Sequence, residues 1–288
     1  MTSLTGMTEK PGAPPRQSPS LSLLGWALNE EDSIVGYVER AERFLSGLTS
    51  DFEVILIDDG STDRTLDIAR ECAATRPWLR VYSNDRNRGA GYSSKRAIGL
   101  ATKQYLFWQT VDWAYQIDRM GEMLPALGTT CDVLQGARYG TLSIYGTLFH
   151  RSDNAYKGAV SVINYLLIRL LFRLPLSDYQ NVTVYPTALI QSVRLETESS
   201  FTNGECLLKT WWLGAVFLEV PVPFVKRSKG RGTGTRPKAI VAAVRDIFTW
   251  WLRWIVLGQR PDRQRGRVLR MDEVSQAGSS AASSVEIR

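Results

Sequence analysis

Two acidic clusters stand directly after apolar runs: Asn29-Glu30-Glu31 follows Leu21–Leu28, and Asp58-Asp59-Gly60-Ser61-Thr62-Asp63 follows Val54–Ile57. A carboxylate at the end of a strand can accept from ribose hydroxyls or a base N–H, and Gly60 lets the chain turn tightly into a helix. Asp112 closes a further run, Tyr105–Val111. Acidic groups from three strand ends therefore converge on the edge of the sheet where open α/β folds bind ligands. Taken alone, Asp-Gly-Ser-Thr is as often only a capped turn. His150 is the single histidine and has no serine elbow or Cys/His pairing around it, so triad hydrolysis has no support. Cys72, Cys131 and Cys206 are too far apart for a zinc site or a disulfide framework.

The elements that must hold these residues alternate. Leu21–Leu28 and Val54–Ile57 read as buried strands, Leu79–Ser83 as a third, short strand and Tyr105–Val111 as a fourth, apolar one. Between them, Glu31–Leu48 carries Ile34, Val38, Ala41 and Leu45 at helical spacing, and Ser61–Ala73 opens on three good N-cap residues. A third helix is expected near Tyr92–Ala101, after the glycine loop Asn87-Arg88-Gly89-Ala90-Gly91. The pattern implies an α/β fold with a mostly parallel sheet flanked by helices.

With the series Phe201, Glu205, Leu207, Lys209, Gly214, Glu219-Val220-Pro221-Val222, Arg227 and Gly230, the arrangement over about Leu21–Gly232 resembles the family 2 glycosyltransferases of the GT-A (Rossmann-like) fold. In particular it is similar to the polyprenyl-phosphate sugar transferases related to dolichyl-phosphate mannose synthase. The resemblance implies that Ala27, Leu28 and Glu30 line a nucleotide pocket, that Ile57 and Asp59 hold base and ribose, and that Gly89 belongs to the family's glycine loop. Where the family often has Pro-Ala-Tyr-Asn-Glu this chain has Trp26-Ala27-Leu28-Asn29-Glu30, so Trp26 is the candidate aromatic contact to the base. Asp112 is the acid kept from the family's Asp-x-Asp metal motif, with either Thr110 or Ala114 where the other acid belongs and Gln116 as a further ligand. A divalent cation, Mg²⁺ or Mn²⁺, is implied but with one carboxylate fewer to hold it. Gln135-Gly136-Ala137-Arg138 looks like the family's phosphate-binding arginine element, and Arg227, Lys229 and Arg231 would form a basic loop closing over the diphosphate. Asp112, Glu205 and Arg138 are the candidate catalytic residues, Glu205 as general base where the acceptor is a hydroxyl; a phosphate acceptor needs none.

The net charge of +6 and pI near 9.3 favour anionic partners. No RNP-like, zinc or helix-turn-helix signal points to nucleic acid. Residues 1–19 read as a solvated tail without a secretory core, 20–235 as the GT-A domain, 236–258 as an amphipathic helix, and 259–288 as a basic, then Ser/Ala-rich, disordered tail. The helix about 159–176 and that of 236–258, with Trp250, Trp251 and Trp254 beside Arg245 and Arg253, suit a headgroup interface, although the first is as readily an ordinary core or dimer helix; the uncharged run of the second is shorter than the roughly 20 apolar residues needed to span one. The expected protein is thus cytoplasmic, peripheral to the inner face of a membrane, and transfers a hexose with inversion from a nucleoside diphosphate sugar to a polyprenyl phosphate. Transfer to a hydroxyl acceptor and a non-catalytic nucleotide-binding scaffold are the alternatives; the oligomeric state is not legible.

Overall fold

The computed structural model describes residues 18–115, 117–137, 155–222, 237–260 and 265–270. Their strands, β1 (Leu21–Ala27), β2 (Phe52–Asp58), β3 (Leu79–Ser83), β4 (Tyr105–Trp108), β5 (Val133–Ala137), β6 (Thr183–Pro186), β7 (Val216–Pro221) and β8 (Arg267–Arg270), form one sheet in the order β3-β2-β1-β4-β6-β5-β7-β8. Every neighbouring pair is parallel except those of β6, which runs antiparallel to both β4 and β5. The reversal brings the segment entering β6, Gln180-Asn181-Val182, to the edge where the other strands end.

The helices are α1 (Ile34–Ser46), α2 (Thr65–Ala74), α3 (Ala90–Leu100), α4 (Asp118–Met123), α5 (Ala155–Phe172), α6 (Thr187–Gln191), α7 (Thr202–Trp212) and α8 (Pro237–Trp251), the last continuing as a π turn over Leu252–Val256. They cover both faces of the sheet. Leu21 and Leu23 pack with Tyr37, Val38 and Ala41 of α1, whereas Leu24, Ile55 and Ile57 pack with Ala97 of α3 and Leu207 and Trp211 of α7. Two covered faces are the reason β1 and β2 read as unbroken apolar runs.

Four expectations shift. The strand expected to reach Val111 stops at Trp108, because Gln109 folds back: its Nε2 donates to Tyr115 O (2.8 Å) and its Oε1 accepts from Thr110 N (2.9 Å). The helix expected from Ser61 starts at Thr65, since Ser61, Thr62 and Asp63 are spent on the loop after β1. The helix expected to run to Leu176 ends at Phe172; Leu174 and Leu176 turn fully into the core. Within the supposed basic tail, Arg267–Arg270 forms β8, pairing with an edge of β7 that would otherwise present unpaired N–H and C=O groups.

Glu53 fastens this framework. Its carboxylate accepts from Ser22 Oγ (2.7 Å) on β1, Arg80 Nη1 (2.7 Å) on β3, and Thr102 N (2.7 Å) and Oγ1 (2.9 Å) before β4. Burial pushes its pKa up, but the hydrogen bonds from Arg80, Thr102 and Ser22 outweigh this and hold it below the ordinary value of 4.5. For a carboxyl whose folded pKa is depressed, the stabilisation is complete above the unfolded value and is lost as pH falls through the folded one. Glu53→Gln is expected to lose stability at pH 7 and to unfold with a shallower acid dependence below about pH 4.5. Equal acid slopes for both proteins in urea titrations would exclude this role.

Candidate functional site

The loops after β1 and β2 are sewn together. Asn29, in the left-handed region at φ 55°, accepts from Thr62 N (2.9 Å), and its own N–H donates to Ser61 Oγ (3.0 Å). Glu30 N donates to Thr65 Oγ1 (2.8 Å) and Arg64 N to Glu31 Oε2 (3.1 Å). Asp58 accepts from Ser61 N (3.3 Å) and Ser83 Oγ (3.1 Å), which closes the turn at Gly60. Gly60 has φ +74°, and a Cβ there would sit 2.4 Å from the backbone of Arg86, so both the turn and the close approach require glycine.

Asp59 is buried and turns inward to the glycine loop. Oδ1 accepts from Asn84 Nδ2 (2.7 Å), Arg88 N (3.0 Å) and Ser93 Oγ (3.0 Å), and Oδ2 from Gly89 N (2.8 Å). This single side chain therefore sets the entry to α3. Arg88 lies over the ring of Tyr92 at 4.3 Å. Among the other expected pocket residues, Leu28 and Glu30 are half-buried at the same edge, Ala27 is buried with its carbonyl accepting from Asp59 N (2.8 Å), and Ile57 is sealed in the core.

Asp112 sits in the turn that follows β4, half-buried, before Trp113 at φ 52°. A bulky residue in the left-handed region is a strained position. It is held by packing: the indole meets Tyr37 (5.8 Å) and Phe44 (6.1 Å), with Arg40 at 5.2 Å over the ring. Ala114 follows two residues on, and among the described residues no group of three His, Cys, Asp or Glu side chains stands ready for a metal. One carboxylate is a short donor set for a hard cation, so the described residues do not by themselves build a metal centre. Gln116, Arg138, Arg227, Lys229 and Arg231 lie outside the described residues.

The structure places Glu205 elsewhere than at an open mouth. Fully buried on α7, it accepts from Glu196 N (2.8 Å), Thr197 N (2.8 Å) and Thr197 Oγ1 (2.7 Å), and its Oε1 pairs with Lys209 Nζ at 2.6 Å. Lys209 also donates to Arg194 O (2.6 Å) and Glu196 Oε2 (2.7 Å). The pair anchors the segment before α7. That segment in turn presses on the glycine loop, since a Cβ on Gly91 would lie 2.3 Å from the carbonyl of Glu198.

Between the carboxyl edge of the sheet and α5 and α8 lies a cavity of about 450 Å³. Trp26 and Trp108, Ser94 and Thr110, Ile163 of α5 and Val244 of α8 are among its walls, and Asn181 and Asn203 line it too. Sequence reasoning singled out Trp26 but missed Trp108 and Asn203. Trp108 is the last residue of β4 and Asn203 lies in the first turn of α7, positions whose only sequence signal is their place at an element's end.

The two flanking helices leave apolar stripes uncovered. Ile163, Leu166 and Leu170 on α5 are 55%, 46% and 71% exposed, and Val241, Phe248, Leu252 and Val256 do the same on α8 and its π turn. Trp254, expected at a headgroup interface, is instead 1% exposed, stacked on Phe201 and Trp250 and edge-on to Trp212, because its face of the helix points at α7. Among the described residues no helix is long and apolar enough to cross a membrane.

A mostly parallel α/β sheet with a cavity at its carboxyl edge is the architecture of the GT-A glycosyltransferases, and solved structures of that class superpose on it. The Mycobacterium tuberculosis glucosyl-3-phosphoglycerate synthase, in complex with Mn²⁺, UDP and phosphoglyceric acid, aligns with a TM-score of 0.54 at 17% identity, covering 85% of this chain and 80% of its own. The sequence model described as Glycosyl transferase family 2 matches residues 26–188, more than half the chain, and the protein belongs to that family. Similar curated proteins include glycosyltransferase AglD of Haloferax volcanii, 26% identical over 84% of this chain and 39% of its own length, and the dodecaprenyl-phosphate galacturonate synthase of Rhizobium johnstonii, 29% identical over 64% and 53%. The chain spans about two-fifths to half the length of these relatives.

Proposed function

We propose that this protein transfers a hexose, with inversion, from a nucleoside diphosphate sugar to a polyprenyl phosphate at the inner face of a membrane. The observation that carries the reading is the cavity itself, bounded on one side by the Asp59-organised loop and on the other by two helices with uncovered apolar stripes. A lipid-linked acceptor would approach along α5 and α8, whose stripes suit the acyl boundary, while Arg173, Arg245 and Arg253 offer charge to anionic headgroups. The name of the Rhizobium relative, a synthase of a dodecaprenyl-phosphate sugar, points to the same acceptor class.

In the reaction an anionic oxygen of the acceptor phosphate attacks the anomeric carbon from the face opposite the nucleoside diphosphate. The new C–O bond forms as the bond to the diphosphate breaks, and the diphosphate departs with the electron pair. No proton has to be removed, which is consistent with Glu205 being wholly engaged in the protein's own bonds. The proposal gives Asp112 the edge of the donor site, with Gln116 as a further candidate ligand, and gives Arg138, Arg227, Lys229 and Arg231 the leaving diphosphate, where guanidinium and ammonium groups would stabilise developing charge. A Mg²⁺ or Mn²⁺ ion, when bound there, would share that task; with the donor set described, the basic residues carry the larger part.

The test is turnover of UDP-, GDP- and dTDP-hexoses with and without Mg²⁺ or Mn²⁺ and polyprenyl phosphate. Hydrolysis or transfer stimulated by the lipid is the expected result. Tight nucleotide binding with no turnover under any condition would overturn it in favour of a binding scaffold.

A further inference from the structure

We infer that the cavity holds a neutral, hydroxyl-bearing sugar ring, read by Asn181 and Asn203. Asn181 is 1% exposed; its Oδ1 accepts from Val182 N (2.7 Å), and its Nδ2 has no partner. Asn203, one turn into α7, donates through Nδ2 to Tyr179 O (3.0 Å), and its buried Oδ1 has no partner. Buried polar atoms are nearly always satisfied, and an exception calls for a missing ligand or water. Two residues that line the same cavity, one with a free donor and the other with a free acceptor, match a ring bearing hydroxyls, each of which both gives and takes a hydrogen bond.

The walls say what charge that ring carries. Among the described lining residues none is Lys, Arg, His, Asp or Glu. A carboxylate placed against these walls would be desolvated with no counter-charge among the described residues, which is costly in an apolar surround, whereas hydroxyls need only the amides. Trp26 and Trp108, 6.5 Å apart between ring centroids, give flat apolar faces to the C–H face of a ring. At about 450 Å³ the space is of the size that small-molecule sites occupy. The cavity therefore selects neutral hexoses over uronates. The transferase reading enters only in deciding whose ring it is, the donor's hexose or a sugar already on the acceptor.

The experiment follows Trp fluorescence of the full chain titrated with UDP, GDP, UDP-glucose, GDP-mannose, UDP-glucuronate and, below its micelle concentration, octyl glucoside. Asn181→Asp keeps the oxygen that holds Val182 and replaces the free donor by an acceptor; Asn203→Leu removes the free acceptor, and melting curves verify that each variant folds. A neutral sugar probe is expected to bind, with UDP-glucuronate held about tenfold more weakly than UDP-glucose, and each variant to lose about tenfold of the sugar-dependent affinity while nucleotide affinity is unchanged. Loss confined to the nucleotide sugars assigns the ring to the donor; loss confined to octyl glucoside assigns it to the acceptor. Full sugar affinity in both variants overturns the inference, as does UDP-glucuronate bound as well as UDP-glucose where the variants' loss falls on the nucleotide sugars. Octyl glucoside bound in an Asn181-dependent way without affinity for any nucleotide would overturn the transferase reading and uphold this one.

Discussion

Lys209→Met is expected to destabilise the protein by about 3–5 kcal/mol, a fall in melting temperature of roughly 10 °C. The ammonium is 3% exposed and its partner Glu205 is fully buried, so removing the cation strands a carboxylate in the core. Attraction between the two in the native state is not the main quantity lost, because forming the pair already cost the desolvation of both ions. What is lost is compensation: the backbone donors of Glu196 and Thr197 remain on Glu205, but the charge has no counter-ion. The double variant Lys209→Met/Glu205→Gln is accordingly expected to recover part of the deficit. A melting temperature for Lys209→Met within 2 °C or so of the parent would exclude the pair as the anchor of the Arg194–Ser200 segment.

Asp59→Asn should have the second large effect, and at a different place. Four donors converge on that carboxylate, and an amide would turn an NH₂ group towards some of them. Each buried donor left facing another donor costs about 1–3 kcal/mol, so a loss of about 3 kcal/mol is expected. Amide hydrogen exchange at Arg88 and Gly89 should quicken, and affinity for the nucleotide should fall by more than tenfold, since the proposed donor site is built on that loop. Unchanged exchange at Gly89 would remove Asp59 from its organising role.

The front of the fold was legible in the sequence and the back much less so. β1 and β2 declared themselves because burial on both faces leaves runs such as Val54–Ile57 free of polar residues, and α1 because Ile34, Val38, Ala41 and Leu45 keep a helical period. β6 and β8 are four residues each, too short for a pattern, and their pairing depends on partners far away in the chain. For the same reason the sequence could not show that β6 reverses and carries Asn181 to the functional edge.

Side-chain roles divided along similar lines. Asp59 stood out by type and place, yet only the fold reveals that it faces the glycine loop. Glu205 drew a functional reading because the family resemblance puts a general base at that point of the chain. A signal did exist for its structural part: Glu205 and Lys209 are four residues apart on a helix where Leu207, Leu208, Trp211 and Trp212 take up every side. A helix apolar all round is buried, and ions inside it must answer each other. Trp254 misled for the opposite reason, because a tryptophan between arginines has the same composition whether it faces lipid or the core.

The pairing of β8 with β7 makes the order of synthesis matter. Leu21 to Trp108 supplies four adjacent parallel strands in one continuous stretch, each joined to the next by a helix, so that half of the sheet can close while the chain is still being made. The other half cannot: β6 waits for Thr183, and the outer edge waits for Arg267. A ribosome adding about 5–20 residues per second thus leaves the first half of the sheet assembled for roughly 8–30 s before the second half is complete. During that interval the uncovered stripe of α5 is displayed beside an unfinished edge, the arrangement in which nascent chains aggregate.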